Sequence, residues 1–159
     1  MFSFVLKARP RQIDLGFVVD SSDGVNWSQM QRFVSSMLES FDISEERVHV
    51  GFIIFSDRAV LSFGFNELQG SSYTLNGIRQ LINRISQLGG SQRRVDLALN
   101  TAFRDLFSDV GGTRVTSRKV LKHLGHFEKN YYYTFSNMPN KVFGGFGSPP
   151  PIPLILSLN

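Results

Sequence analysis

The sequence predicts an α/β fold, in which a doubly wound and mostly parallel sheet carries one antiparallel edge strand. Two apolar runs, residues 13–19 and 48–55, show almost no polar alternation, which is typical of parallel strands buried on both faces. Segments with helical apolar spacing separate and follow these runs. Strands that alternate with amphipathic helices favour a single sheet with helices on both sides.

The first predicted strand begins near Ile13 and ends in the polar sequence DSSDG at residues 20–24. A helix follows, and Asn26 is suited to cap it. Its apolar residues form one stripe: Met30, Phe33, Val34, Met37, Leu38 and Phe41. The strands before and after this helix should therefore run parallel, joined by a right-handed crossover.

The second strand, 48–56, leads through a short polar turn into a third strand at 59–65. A connection this short requires an antiparallel pair. Further helices are predicted at 75–87, where two glycines end the periodicity, and at 95–106, and a further strand begins at 117–121. The predicted order is β-α-β-β-α-α-β.

Composition limits the classes of function. The 159 residues suit one domain, and 42% hydrophobic with 19% charged residues is ordinary globular composition. The net charge of +4 permits an acidic partner, but the aromatic residues fall mostly at core-facing positions, so no nucleic-acid partner is expected. The absence of cysteine excludes disulfides and thiolate sites. No apolar run is long enough to span a membrane, and no membrane insertion is expected. Residues 1–11 form an N-terminal extension that lacks the pattern of a signal peptide.

The end of the first strand is the candidate site. Asp20 and Ser22 lie two residues apart at the carboxyl end of a parallel strand, where ligands bind in open α/β sheets. A carboxylate and a hydroxyl facing one point suit Mg²⁺, which prefers oxygen ligands. Alternatively, Ser21, Ser22 and Asp23 only build a turn and cap the following helix.

Three segments carry a family resemblance: IDLGFVVDSSDGVNWSQMQRFV, VHVGFIIFSDRAVLSF and LINRISQLGGSQRRVDLALNTAFRDLF. Residues 12–121 resemble the first part of a von Willebrand factor type A domain, which has a Rossmann-like fold, and are most similar to the matrilin and type VI collagen members. The resemblance implies a non-catalytic protein-binding module of cell adhesion or extracellular matrix. It implies an extracellular location and a protein ligand such as a matrix protein or collagen.

The resemblance also implies a metal-ion-dependent adhesion site, which this chain matches only in part. Asp20 and Ser22 stand at the first two ligand positions, but Gly24 replaces the expected second serine and Arg93 the expected threonine. Ser91 is a nearby hydroxyl that a shifted loop could offer instead, and the later aspartate is missing after the fourth strand. The site is therefore predicted to be degenerate, with no cofactor expected and Mg²⁺ left as the alternative.

Arg93 suggests what replaces the metal. A guanidinium is always charged and accepts no hydrogen bonds, so it repels a divalent cation and attracts a carboxylate. We hypothesise an ion pair between Arg93 and Asp20 that makes adhesion independent of metal. The alternative is that Arg93 points into solvent.

The sequence gives little support for an enzymatic function. No nucleophile elbow of the G-x-S-x-G type and no phosphate-binding loop is present, and Ser22 stands where a paired-carboxylate phosphatase would need aspartate. His49 lies inside a strand run, and His123 and His126 lack the spacing of a metal pair. The chain is predicted not to be an enzyme.

Residues 122–159 lose all periodicity and are predicted to form a divergent, disordered tail. The domain is then incomplete at its C-terminus, its fourth strand becomes an unprotected edge, and the chain made alone is marginal or aggregation-prone. Two alternatives to an adhesion module remain open: a truncated fragment without independent ligand binding, and an intracellular scaffold domain.

Overall fold

The computed structural model describes residues 11–125 and, for backbone pairing only, residues 131–135. Within these residues one mixed sheet has the strand order β3-β2-β1-β4-β5. The strands are β1 Ile13–Asp20, β2 Val48–Phe55, β3 Ala59–Phe63, β4 Arg118–Leu124 and β5 Tyr131–Phe135. The central strand β1 runs parallel to both β2 and β4, and the outer strands β3 and β5 are antiparallel to their neighbours. This confirms the predicted mixed α/β sheet.

Helices cover both faces of the sheet. They are α1 Trp27–Met37, α2 Leu75–Asn83 and α3 Val95–Thr101, and α3 continues into a π-helical turn at Ala102–Leu106. One core layer joins α1 and α2 to alternate residues of β1, including Leu15, Phe17 and Val19. The other joins α3 and its π-helical turn to side chains on the opposite face, including Val18 and Ile53. Because successive side chains of β1 point to opposite faces of the sheet, alternate residues pack into two separate cores.

Two glycines allow the π-helical turn to approach the sheet closely. Gly16 and Gly51 are register partners on β1 and β2, and both face the buried side chain of Leu106. A Cβ atom on Gly51 would lie 2.4 Å from Leu106 Cδ1. The close packing of this layer therefore requires a residue without a side chain.

The amino end of β1 carries a buried charge network. Asp14 is fully buried, and its Oδ2 accepts hydrogen bonds from Thr113 Oγ1, the Arg114 backbone N–H and Ser117 Oγ, at 3.0, 2.7 and 2.5 Å. Its Oδ1 accepts one from Arg114 Nε at 2.8 Å. Arg114 also donates to the carbonyls of Ile13 and Arg47. This network holds the loop before β4 against the amino-terminal end of β1, at the end of the sheet opposite the candidate site.

The end of the chain differs from the sequence prediction. β4 continues through Leu124, three residues past the predicted boundary at 121, because it pairs with β1 as far as Val19↔Leu124. The prediction that β4 is an unprotected edge is wrong, because β5 pairs along it from Lys119↔Phe135 to His123↔Tyr131. The remaining predicted tail, and the N-terminal extension except Arg11, lie outside the described residues. Among the described helices, none has the length and apolar character needed to cross a membrane.

Candidate functional site

Asp20 and Ser22 lie at the carboxyl end of β1, as predicted. Both residues are buried, at 0% and 1% exposure. Ser21 continues the pairing with β2 by donating its N–H to the Phe55 carbonyl at 2.8 Å, and the chain then turns towards α1. The Ser22 N–H donates to Asp20 Oδ1 at 2.9 Å, which fixes the carboxylate at the strand end.

The segment between α2 and α3 is fastened over this strand end. Gln87 Nε2 donates to the carbonyls of Ser22 and Val25, and the Leu88 N–H donates to Ser21 Oγ at 2.8 Å. Gly89 and Gly90 follow with φ of 68° and 93°, a backbone region open mainly to glycine. The glycines thus turn the segment back so that residues 91–94 reach the site.

A second group of contacts holds the segment to the end of β2. The Gln92 N–H donates to Asp57 Oδ1 at 2.7 Å, and the Arg94 N–H donates to the Ser56 carbonyl at 2.9 Å. Arg93, between these two anchors, is therefore held beside the end of β1. A Cβ atom on Gly90 would lie 2.5 Å from Asp57 Oδ2, so the close approach to Asp57 also depends on glycine.

Arg93 and Asp20 form the ion pair that the sequence suggested. Arg93 Nε lies 2.9 Å from Asp20 Oδ2, and the two side chains are 44% and 1% exposed. The N–H bond is not directed at the oxygen, so within the described residues Asp20 Oδ2 accepts no hydrogen bond, and neither does the buried Ser22 Oγ. The guanidinium therefore balances the buried charge while the two adjacent oxygens keep unfilled acceptor capacity.

The other predicted residues do not join this pair. Gly24 is exposed and offers no side-chain oxygen, and Ser91 is exposed and forms no hydrogen bond with Asp20 or Ser22 in the described structure. His123 lies on β4 with its ring 5.7 Å from that of Phe55. Burial lowers the pKa of His123, and the negative charge of Asp20 opposes this shift. His126 lies outside the described residues.

The side chains at this rim do not suit a tightly held divalent cation. Of the sequence-predicted ligand positions, Asp20 and Ser22 alone offer buried oxygens in the described structure, and the guanidinium of Arg93 already lies against the carboxylate. At an effective dielectric of about 20, a divalent ion 4 Å from that guanidinium would be repelled by roughly 8 kcal/mol, twice the figure for two unit charges. In the described part of the chain, no three histidine or acidic side chains are grouped to hold a metal.

Sequence reasoning missed the residues that position the arginine. The side chains of Asp57 and Gln87 hold the segment between α2 and α3 in place, and neither was singled out from the sequence. Asp57 could have been found, because it is the second residue after β2 and the carboxyl ends of parallel neighbours meet at one end of the sheet. Gln87 carries no such signal, because its partners are backbone carbonyls distant in sequence.

The chain is similar to a protein family and to several known proteins. The family profile described as the von Willebrand factor type A domain matches residues 14–122. Integrin alpha-1 of Gallus gallus is 26% identical over 131 residues, which cover 82% of this chain and 45% of that protein. Human vitrin is 29% identical over 97 residues, covering 59% of this chain and 14% of vitrin. The chain thus spans less than half the length of these relatives.

Solved structures show the same fold. Proximal thread matrix protein 1 from the mussel byssus superposes with a TM-score of 0.67 at 19% identity, covering 82% of this chain and 33% of that one. A second structure of that protein, described as having a zinc-occupied MIDAS motif, gives a TM-score of 0.66 at 18% identity, with coverage of 82% and 34%. Because the matching family profile spans most of the described sheet, the chain belongs to the von Willebrand factor type A domain family.

Proposed function

We propose that this chain is a non-catalytic protein-binding module of cell adhesion or extracellular matrix. Its binding face is the rim formed by Asp20, Ser22 and Arg93, and the ion pair there takes the place of a divalent metal. The ligand is a matrix protein or a collagen, and the chain works in the extracellular space.

The observation that carries this proposal is the 2.9 Å contact between Arg93 Nε and Asp20 Oδ2. A buried carboxylate needs a cationic partner, and here the partner is covalently part of the chain. A site neutralised in this way requires no dissolved cation, so binding at this rim is independent of Mg²⁺. The missing oxygen at Gly24 is consistent with the same account.

The surroundings of Arg93 suit a protein partner. Ser91, Gln92, Arg93 and Asp57 are exposed around the buried Asp20 carboxylate, so the rim offers a polar surface held by several hydrogen bonds. Arginine is enriched in protein interfaces, and side chains on a fixed loop lose little freedom on binding. The rim is therefore a preformed contact surface.

The relatives support the class of partner and the location. They include an integrin subunit, vitrin and a collagen alpha-4(VI) chain, which are adhesion and matrix proteins. Type A domains of such proteins are generally non-enzymatic. The particular matrix ligand is the part that experiment must identify.

The test is binding of the full chain to a panel of immobilised collagens and matrix proteins, with Mg²⁺ or with EDTA. We expect binding that survives chelation and that Arg93→Gln weakens about thirtyfold, the loss of about 2 kcal/mol typical of an interface hot spot. Arg94→Gln is the matched control, because Arg94 is the next residue and pairs with the exposed Asp96. Binding abolished by EDTA, or equal binding by the Arg93 variant, would contradict the proposal.

A further inference from the structure

The start of α1 contains a motif that the binding rim does not use. Asn26, Trp27 and Ser28 form the sequence Asn-x-Ser with a residue other than proline in the middle, and this pattern occurs once in the chain. It is the acceptor pattern for N-linked glycosylation in chains that enter the secretory route. The pattern alone is common, so its value depends on how the structure presents the asparagine.

The asparagine is presented with its amide nitrogen available. Asn26 is exposed and caps α1, where its Oδ1 accepts a hydrogen bond from the Gln29 N–H at 3.1 Å. The capping role uses only the oxygen, and Asn26 Nδ2 donates no hydrogen bond to any described residue. A sugar on Nδ2 is therefore compatible with an intact helix cap.

The hydroxyl of the motif's serine is also not used in the described part of the fold. Ser28 is exposed, and its hydroxyl makes no hydrogen bond within the described residues. Trp27 between them packs against the core, and its Nε1 donates to the Ile85 carbonyl at 2.9 Å. The tryptophan thus points inward while the two motif side chains remain at the surface.

We propose that Asn26 is an N-glycosylation site. In the transfer, Asn26 Nδ2 forms a bond to the anomeric carbon of an oligosaccharide and loses one proton to a base of the transferase. The bond from that carbon to its lipid diphosphate carrier breaks, and the lipid diphosphate leaves with the electron pair. The reaction is a group transfer, with no change in oxidation state.

The glycan has a defined place on the fold. Asn26 lines a shallow groove of 380 Å³ together with Gly24, Met30, Phe33 and Gly125. Phe33 is 47% exposed there, which is unusual for a large apolar side chain on an amphipathic helix. The first sugar lies at the mouth of this groove and shields the apolar surface.

This inference rests on the proposed extracellular function, because only a chain that enters the secretory route meets the transferase. The full chain is expressed in animal cells behind a secretion leader, and both medium and cell lysate are analysed by gel mobility and mass spectrometry. We expect a mobility shift that peptide-N-glycosidase reverses, leaving aspartate at position 26.

Matched variants separate glycosylation from folding. Ser28→Thr keeps the motif and should retain the shift, whereas Ser28→Ala and Asn26→Asp should lose it completely, the latter while keeping a helix-capping oxygen. A wild-type chain that carries no glycan in medium or lysate would overturn the inference. A glycosylated chain that binds no matrix protein would instead contradict the proposed function, so the two failures are distinguishable.

Discussion

Replacing Asp14 by alanine should destabilise this fold more than any surface charge change. The substitution removes the acceptor of four hydrogen bonds and leaves the mostly buried guanidinium of Arg114 without its carboxylate. Removing one partner of a buried ion pair typically costs about 3–5 kcal/mol. Against a stability of about 5–15 kcal/mol for an ordinary domain, this is a large fraction.

The assay is urea unfolding followed by the fluorescence of Trp27, the single tryptophan of the chain. Asp42→Ala is the control, because Asp42 pairs with Arg47 in a contact where the side chains are 65% and 42% exposed. The control should lose less than about 1 kcal/mol. If the stability of Asp14→Ala falls within about 1 kcal/mol of that of the wild type, the buried network does not stabilise the fold.

Two further substitutions test the packing and the titration of the core. Gly51→Ala should cost about 1–3 kcal/mol in the same unfolding assay, since its Cβ would overlap Leu106. Gly125→Ala should be nearly neutral, because the nearest atom among the described residues lies 3.7 Å from the added Cβ, and equal effects of the two substitutions would refute the packing argument. Burial, and then the charge of Arg114, lower the pKa of His49, so the unfolded chain binds more protons and stability should fall as pH drops below about 6.5. His49→Phe should retain stacking on the ring of Tyr73, whose centroid lies 4.0 Å away, and should flatten that pH dependence; an unchanged slope would contradict the assignment.

The sheet could be predicted because its signals are local. The apolar runs of β1 and β2 and the short turn into β3 determine direction and pairing without reference to distant residues. β5 was not predicted, because the sequence YYYTF has no partner pattern of its own and its pairing depends on the edge that β4 presents. Edge pairing is a tertiary property.

The two charged residues of the candidate site could be predicted from the sequence, but the residues that hold Arg93 in position could not all be. Asp20 was identified from its place at the end of the first strand, and Arg93 because it stands where the family resemblance implies a threonine; the hypothesised contact between them is formed. Gln87 donates to backbone carbonyls that are distant in sequence, which no side-chain pattern reports. The network at Asp14 was missed because its donors lie about a hundred residues away in sequence.

The most direct test of the account is calorimetric titration of the full chain with Mg²⁺ and Mn²⁺. The wild type should bind neither ion, because the guanidinium of Arg93 lies against the Asp20 carboxylate. The double variant Gly24→Ser with Arg93→Thr, which restores two oxygen ligands and removes the competing charge, should gain binding. Micromolar binding by the wild type that Asp20→Ala abolishes would contradict the claim that an arginine replaces the metal.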